Sequence, residues 1–151
     1  MASKLFLAIA VALLGTSCVT MQVPKDFLVV DKGIGELKAV TPEDAKLWVR
    51  TFDDPDGGDL AFWSKTLKND LTKNRGYLLV GEEPIKDKQG REGVALLVDT
   101  TLQGKPTREL LALFVLPGWP DNQIRVVELV AEKEVFERAL PDVKQAIATL
   151  E

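Results

Sequence analysis

The second half of the chain consists of apolar runs separated by short polar turns. Four runs are rich in β-branched and apolar residues, which is typical of strands. They cover residues 77–80, 94–101, 107–116 and 123–131, and the connectors between them contain glycine or proline. Because connectors this short join antiparallel neighbours, the pattern predicts an antiparallel sheet.

The first half also begins with strands. Residues 27–30 and 36–40 are apolar stretches on either side of a turn that contains Gly33 and Gly35. Residues 45–52 alternate, with Leu47 and Val49 on one face and Trp48 on the other, which predicts a third strand. The sequence Thr-Pro-Glu-Asp at 41–44 fits either a helix cap or a turn.

Two segments have helical spacing. Asp59 is suited to cap a first helix, Gly76 to close it, and its apolar positions are Leu60, Trp63, Leu67 and Leu71. A second helix over residues 132–150 has one apolar stripe, formed by Phe136, Leu140, Val143, Ile147 and Leu150. Pro141 either kinks this helix or restarts it.

The strand at 110–116 is apolar on both faces, so it should be central in the sheet and covered on both sides. The two helices can supply one layer each. We therefore expect an α+β fold in which helices cover both faces of a mostly antiparallel sheet. Residues 27–151 form this single domain.

The N-terminus has the layout of a secretory signal. Lys4 supplies a positive charge, residues 5–14 (LFLAIAVALL) are an uncharged apolar run, and Gly15, Thr16 and Ser17 are small. A helix of that run would rise about 15 Å, half the hydrocarbon thickness of a bilayer, so a permanent span is not expected. We assign residues 1–17 to a signal peptide and residues 18–26, which include Pro24, to a short tether.

A cysteine directly after the small residues, in Leu14-Gly15-Thr16-Ser17-Cys18, resembles the lipobox of bacterial lipoproteins. The family most often has leucine where this chain has Gly15. The resemblance implies cleavage before Cys18 and diacylation of its thiol, and two acyl chains suffice for stable membrane anchoring. It also implies a place in the bacterial cell envelope, facing the periplasm or the outside. The absence of aspartate after Cys18 favours the outer membrane.

Two alternatives to lipidation of Cys18 stay open. The general signal peptidase could release a secreted protein, or the leader could remain as an anchor. An unpaired cysteine in an oxidising compartment is a liability unless it is modified, and Cys18 is the only cysteine in the chain. Lipidation is therefore the favoured interpretation.

Composition limits the classes of function. The formal net charge is −4 and basic residues are scattered, which argues against nucleic acid or an anionic bilayer surface as partner. The chain has no histidine, the most frequent general base and metal ligand. We expect no catalytic residues, no metal site, no cofactor and no enzyme activity.

Three local patterns bear on metal binding, catalysis or nucleotide binding. Four carboxylates at Asp53, Asp54, Asp56 and Asp59 could attract calcium, but they lack EF-hand spacing and also fit a solvated turn before a helix. Ser64 has no histidine to activate it as a nucleophile. Residues 33–35 (Gly-Ile-Gly) lack the third glycine of a dinucleotide fingerprint.

One tryptophan is a candidate for contact with a partner. Trp119 lies in Pro-Gly-Trp-Pro at 117–120, a stiff turn between two central strands, and is a possible partner contact. It could equally fold back over the edge of the core. Trp48 and Trp63 are interpreted as core residues.

The element order β-β-β-α-β-β-β-β-α resembles the Mog1/PsbP-like family over residues 27–150. The segments that carry the resemblance are Asp59 to Leu67 (DLAFWSKTL), the Arg75-Gly76-Tyr77 turn and residues 89–93 (QGREG). It implies an α/β/α sandwich. Members of this family include photosystem accessory subunits, a small-GTPase release factor and bacterial lipoproteins, so binding and assembly are the implied roles.

Three functions follow, in order of preference. The first is a membrane-anchored envelope lipoprotein that acts as a non-enzymatic protein-binding or assembly module, with another envelope protein as partner. The second is a secreted domain that binds a small ligand in a pocket at the sheet edge. The third, an enzyme, would require a cleft that contains carboxylates of shifted pKa.

Overall fold

The computed structural model describes residues 18–151. The predicted signal peptide, residues 1–17, lies outside the described residues. The elements follow the order β1 (Leu28–Gly33), β2 (Glu36–Val40), β3 (Lys46–Asp54), α1 (Leu60–Asn69), β4 (Leu78–Lys86), β5 (Glu92–Leu102), β6 (Lys105–Leu116), β7 (Asn122–Glu132) and α2 (Lys133–Ile147).

All seven strands form one antiparallel sheet in the order β1-β2-β3-β7-β6-β5-β4. Consecutive strands pair as neighbours except β3 and β4, and β7 pairs with β3 and so joins the two halves of the sheet. Helix α1 packs on one face, and α2 packs on the other. The predicted α+β class is confirmed.

The core lies on both sides of β6, which pairs with β5 and β7. Leu110 and Phe114 on the α2 side belong to one apolar cluster together with Phe136 of α2. Leu111 and Leu113 point to the α1 side and join a second cluster that includes Leu71. The predicted central position of residues 110–116 is therefore confirmed.

Helix α1 begins where its sequence predicts. The side chain of Asp59 accepts a hydrogen bond of 2.8 Å from the backbone N–H of Phe62, which satisfies one of the free donors of the first turn. A single π-helical turn, Asp70–Asn74, follows the helix. Gly76, at φ +71°, then reverses the chain into β4.

Helix α2 continues through Pro141, so the proline does not restart it. The predicted stripe faces the sheet: Phe136, Val143, Ile147 and Leu150 are buried, and Leu140 is partly buried. Residues 41–44, for which two interpretations were open, form a turn with Asp44 at φ +65°. The N–H of Ala45 donates to the hydroxyl of Thr41 across it.

Strand β4 is longer than the predicted residues 77–80. A bulge between Leu79 and Gly81 lets the strand continue through two glutamates and Pro84. Charged residues, proline and a bulge are tolerated here because β4 is an edge strand, and they protect such an edge from further pairing.

The segment predicted as a tether is packed on the domain, and the structure corrects that prediction. Val19 is fully buried in the α2-side cluster, and Met21 and Val23 pack against the same cluster. The N–H of Glu151 donates to the carbonyl of Thr20 at 2.9 Å. Burial of apolar side chains, which a free linker would leave in water, is the physical reason.

Replacing Phe136 by alanine should lower the free energy of unfolding by about 3–5 kcal/mol, since a fully buried phenylalanine leaves a cavity. Phe62→Ala is the matched control. Phe62 is 54% exposed, so its loss should cost below about 1 kcal/mol. Urea unfolding monitored by circular dichroism checks both values, and equal losses would contradict the assignment of the core.

Candidate interaction surface

Within residues 18–151, one part of the sheet has no helix over it on the α1 side. Helix α1 packs over β5 and β6, whereas the same face of β2, β3 and the adjoining part of β7 carries half-buried and exposed side chains. We call this surface the Trp48 face. It consists of Glu36, Lys38, Val40, Trp48, Arg50, Phe52, Glu128 and Val130.

Strand alternation explains how these residues come to lie together. Leu37 and Ala39 of β2 and Leu47 and Val49 of β3 are buried on the α2 side. The residues between them must point to the opposite face. The register between β2 and β3 brings the residues of the two strands together, because Lys38 lies directly opposite Trp48.

Trp48 was predicted to be a core residue, and that prediction is wrong. Its ring is only half-buried and is held by polar neighbours: the guanidinium carbon of Arg50 lies 3.9 Å and the Nζ of Lys38 lies 4.5 Å from the ring centroid. The indole Nε1–H donates a hydrogen bond of 2.8 Å to Glu36. Alternation placed Trp48 correctly opposite the buried face, but neither α1 nor α2 covers it there.

Ion pairs with glutamates hold Arg50 and Lys38 in place on this surface. Arg50 Nη2 donates to Glu128 Oε2 at 2.7 Å, and Lys38 lies 3.1 Å from Glu36. The hydrogen bond from Lys38, followed by that from Trp48, lowers the pKa of Glu36. Phe52 extends the cluster, since its ring centroid lies 5.6 Å from the guanidinium carbon of Arg50. The aromatic and guanidinium groups are thus ordered by their own neighbours.

Glu109 and Glu128 lie at the border between the Trp48 face and the part of the sheet that α1 covers. Glu109 of β6 is buried, and burial followed by the charge of Glu128 raises its pKa. Arg75, at the end of the π-helical turn, acts in the opposite direction. The buried Nε of Arg50 has no hydrogen-bond partner within residues 18–151. Sequence reasoning singled out neither Arg50 nor Glu109.

A groove with a partly apolar lining lies on the other side of the sheet. Its volume is about 440 Å³, and it lies between the N-terminal segment, the 41–45 turn and α2. Apolar residues such as Phe27 and Val135 line it together with Arg138 and Asp142. Arg138 is already paired with Glu43 at 2.9 Å.

Trp119 lies on the β6–β7 loop and is 94% exposed. It does not fold back over the core. The base of the loop requires glycine at position 118, because a Cβ atom there would lie 2.5 Å from the carbonyl oxygen of Asp121. Contact of Trp119 with a partner stays a prediction.

Cys18 is exposed, and its thiol is free. The next residue, Val19, is completely buried, so the cysteine lies directly at the surface of the folded domain. Lipidation of Cys18 stays a prediction. Within residues 18–151, no helix is long and apolar enough to cross a membrane.

The acid-rich segment before α1 has structural contacts. Asp54 is buried and accepts hydrogen bonds from Trp63 Nε1 at 2.8 Å and from the N–H of Gly57. Asp59 is the helix cap. Among the described residues, no three histidine, cysteine or carboxylate side chains come together as metal ligands. These contacts support the interpretation as a turn before a helix.

Two other residues singled out from the sequence also have structural contacts. Trp63 packs against the α1-side cluster as predicted, although it is only partly buried. The hydroxyl of Ser64 donates to the carbonyl of Leu60 at 2.6 Å, inside the helix. Gly35, at φ +72°, forms the β1–β2 turn.

Comparisons with known proteins identify fold relatives. No protein-family model matches the chain, and no curated protein matches it in sequence. The structure of LpqN from Mycobacterium tuberculosis, described as involved in cell envelope biogenesis, is similar with a TM-score of 0.66 and 15% identity over 87% of this chain and 82% of that one.

Two further structures have the same fold. A Pseudomonas aeruginosa protein of unknown function, described as a putative regulator, has a TM-score of 0.57 and 19% identity over 89% of this chain and 97% of that one. The Ran-binding protein Mog1p of Saccharomyces cerevisiae has a TM-score of 0.53 and 16% identity, with coverages of 85% and 80%. The predicted resemblance to the Mog1 fold is confirmed, and at these identities the likeness concerns the fold alone.

Proposed function

We propose that this chain is a lipid-anchored protein of the bacterial cell envelope whose domain binds another envelope protein and catalyses no reaction. The observation that carries the proposal is the Trp48 face. It presents an aromatic ring, a guanidinium group and paired charges on a part of the sheet that neither α1 nor α2 covers.

The composition of this surface suits a protein partner. Tryptophan and arginine are enriched among the residues that dominate binding energy in protein interfaces. Trp48 and Arg50 are already held by Glu36 and Glu128, so binding would cost little side-chain entropy. The alternating charges would favour a partner with the complementary order of charges.

The anchor is supported by the N-terminus. The apolar run at residues 5–14 and the small residues before Cys18 are typical of a lipoprotein leader. The exposed thiol of Cys18 is free for acylation. Outer-membrane placement is the finer part of this proposal and rests on the absence of aspartate at position 19.

The fold relatives support the same direction. LpqN is described as involved in cell envelope biogenesis, and Mog1p is described as a Ran-binding protein. An envelope location and a protein-binding role therefore both occur on this fold. The absence of enzyme activity is part of our proposal, and the engagement of Ser64 and Asp54 in structural hydrogen bonds supports it.

A second candidate is a domain that binds a small ligand. The groove of about 440 Å³ beside α2 is the observation in its favour, since it has the size of a ligand site. Its polar lining, however, includes Arg138, which Glu43 neutralises. The two candidates use opposite faces of the sheet, so experiments can separate them.

A photo-crosslinking amino acid in place of Phe52, which is 48% exposed on the Trp48 face, should yield a discrete protein adduct in the native bacterium. Adding Trp48→Ala should remove the adduct, because it deletes the centre of the surface. The same crosslinker at Glu137, exposed on α2, is the matched control and should yield none. Circular dichroism verifies that each variant folds. Equal adducts at both positions, or none at position 52, would refute the proposed surface.

Wild-type protein should be recovered from membranes with a diacylglycerol on its N-terminal Cys18, and Cys18→Ala should lose this mass. Ser17→Ala is the control, since it keeps a small residue before the cysteine and should leave lipidation intact. Mass spectrometry of membrane and soluble fractions measures both. An unmodified N-terminus in the soluble fraction would disprove the anchor.

A further inference from the structure

Three exposed features lie at the same end of the sheet. The β6–β7 loop with Trp119 is at the end where β3 finishes, because Asp54 pairs with Asn122. The β1–β2 turn with Ile34 lies towards that end as well, since Glu36 pairs with Arg50 and the other end of β2 pairs with the start of β3.

Cys18 is at this end too. The neighbouring Thr20 accepts a hydrogen bond from Glu151, and the carbonyl of Leu150 accepts one from Lys88 in the β4–β5 turn. From Thr20 the N-terminal segment runs along α2 towards Phe27, which precedes the start of β1 at the opposite end of the sheet. We call the end that carries Cys18, Ile34 and Trp119 the anchored end.

The burial of Val19 sets the distance between domain and anchor. Only Cys18 itself separates the lipid attachment atom from a side chain that is 0% exposed in the core. A group held in a membrane at Cys18 therefore holds the anchored end against that membrane, with no flexible spacer between them.

Both ends of the sheet expose apolar side chains, and Leu28 at 71% and Leu102 at 40% lie at the end away from Cys18. Ile34 is 78% and Trp119 is 94% exposed at the anchored end. The opposite end has charged side chains around its turns, namely Glu43, Asp44, Lys46, Lys105 and Glu132. Tryptophan is enriched at the headgroup level of membranes, where its ring is apolar and its N–H can reach water.

We propose that the anchored end lies on the bilayer, with Trp119 and Ile34 in the headgroup region. This inference rests on the proposed lipidation of Cys18. The acidic residues Asp53, Asp56 and Asp59 precede α1 at the same end, so zwitterionic headgroups fit it better than anionic ones. The β-strands then rise away from the membrane, and the Trp48 face is directed sideways, open to a partner beside it.

The test uses the full-length protein, purified in its lipidated form and reconstituted into phosphatidylcholine vesicles that contain a nitroxide-labelled lipid. An environment-sensitive fluorophore is attached to Asp121→Cys, beside Trp119. The matched control carries it at Leu102→Cys, at the opposite end of the sheet and also exposed. The nitroxide-labelled lipid should quench the fluorophore at position 121 and should leave the fluorophore at position 102 unquenched.

Adding Trp119→Ala to the Asp121→Cys protein should reduce its quenching, since the ring that holds the loop in the interface is lost. Equal quenching of the two labels in a protein whose Cys18 is diacylated overturns the proposed orientation and leaves the lipoprotein proposal standing. Unchanged quenching after Trp119→Ala overturns the role of that ring. A mass spectrum without lipid on Cys18 overturns both proposals together.

Discussion

The burial of the β6–β7 pair on both faces is the constraint on which the rest of the structure depends. Leu111, Leu113 and Val126 face α1, while Ala112, Phe114 and Val127 face α2. Apolar side chains on both sides of a strand demand two covering layers. Helices α1 and α2 supply these layers over the centre, and the outer strands are covered only in part.

This partial cover explains why the sheet has two different surfaces at β2 and β3. On the α2 side, the N-terminal segment completes the layer with Val19, Met21 and Val23. Helix α1 follows the end of β3 and packs over β6 and β5 before the chain enters β4, so on the α1 side Trp48 and Arg50 remain at the surface. The open surface therefore follows from the path of α1, and it is stabilised by cation–π and ionic contacts.

Much of the fold could be predicted from local patterns. The apolar run at residues 110–116 predicts a central strand, and Asp59 with the apolar positions after it predicts α1, because both depend on neighbours close in sequence. Trp48 was misassigned because alternation shows which residues share a face but cannot show whether a helix covers that face. Arg50 was missed for the same reason.

The sequence of the packed N-terminal segment contains a pattern that predicts its burial. Apolar residues alternate with polar ones at Val19, Thr20, Met21, Gln22 and Val23, and this period of two is typical of a half-buried extended segment. Trp119 illustrates a different limit. Its stiff loop was predictable from proline and glycine, but its exposure depends on how far the loop projects from the ends of β6 and β7.

The proposed anchor and the Trp48 face would together hold a domain at a membrane with one side of its sheet free to bind. Because Cys18 adjoins the buried Val19 of the same domain, the position of the proposed anchor would determine the height and direction of the proposed binding surface.

Hydroxyl-radical footprinting of the protein in intact envelopes and after purification tests the central claim most directly. The account predicts that Trp48 and Phe52 are oxidised in the purified protein and protected in the envelope, whereas Phe27 in the groove beside α2 is oxidised equally in both. Equal oxidation of Trp48 in the two preparations, with protection of Phe27 in the envelope, would contradict the account and favour a small ligand in the groove.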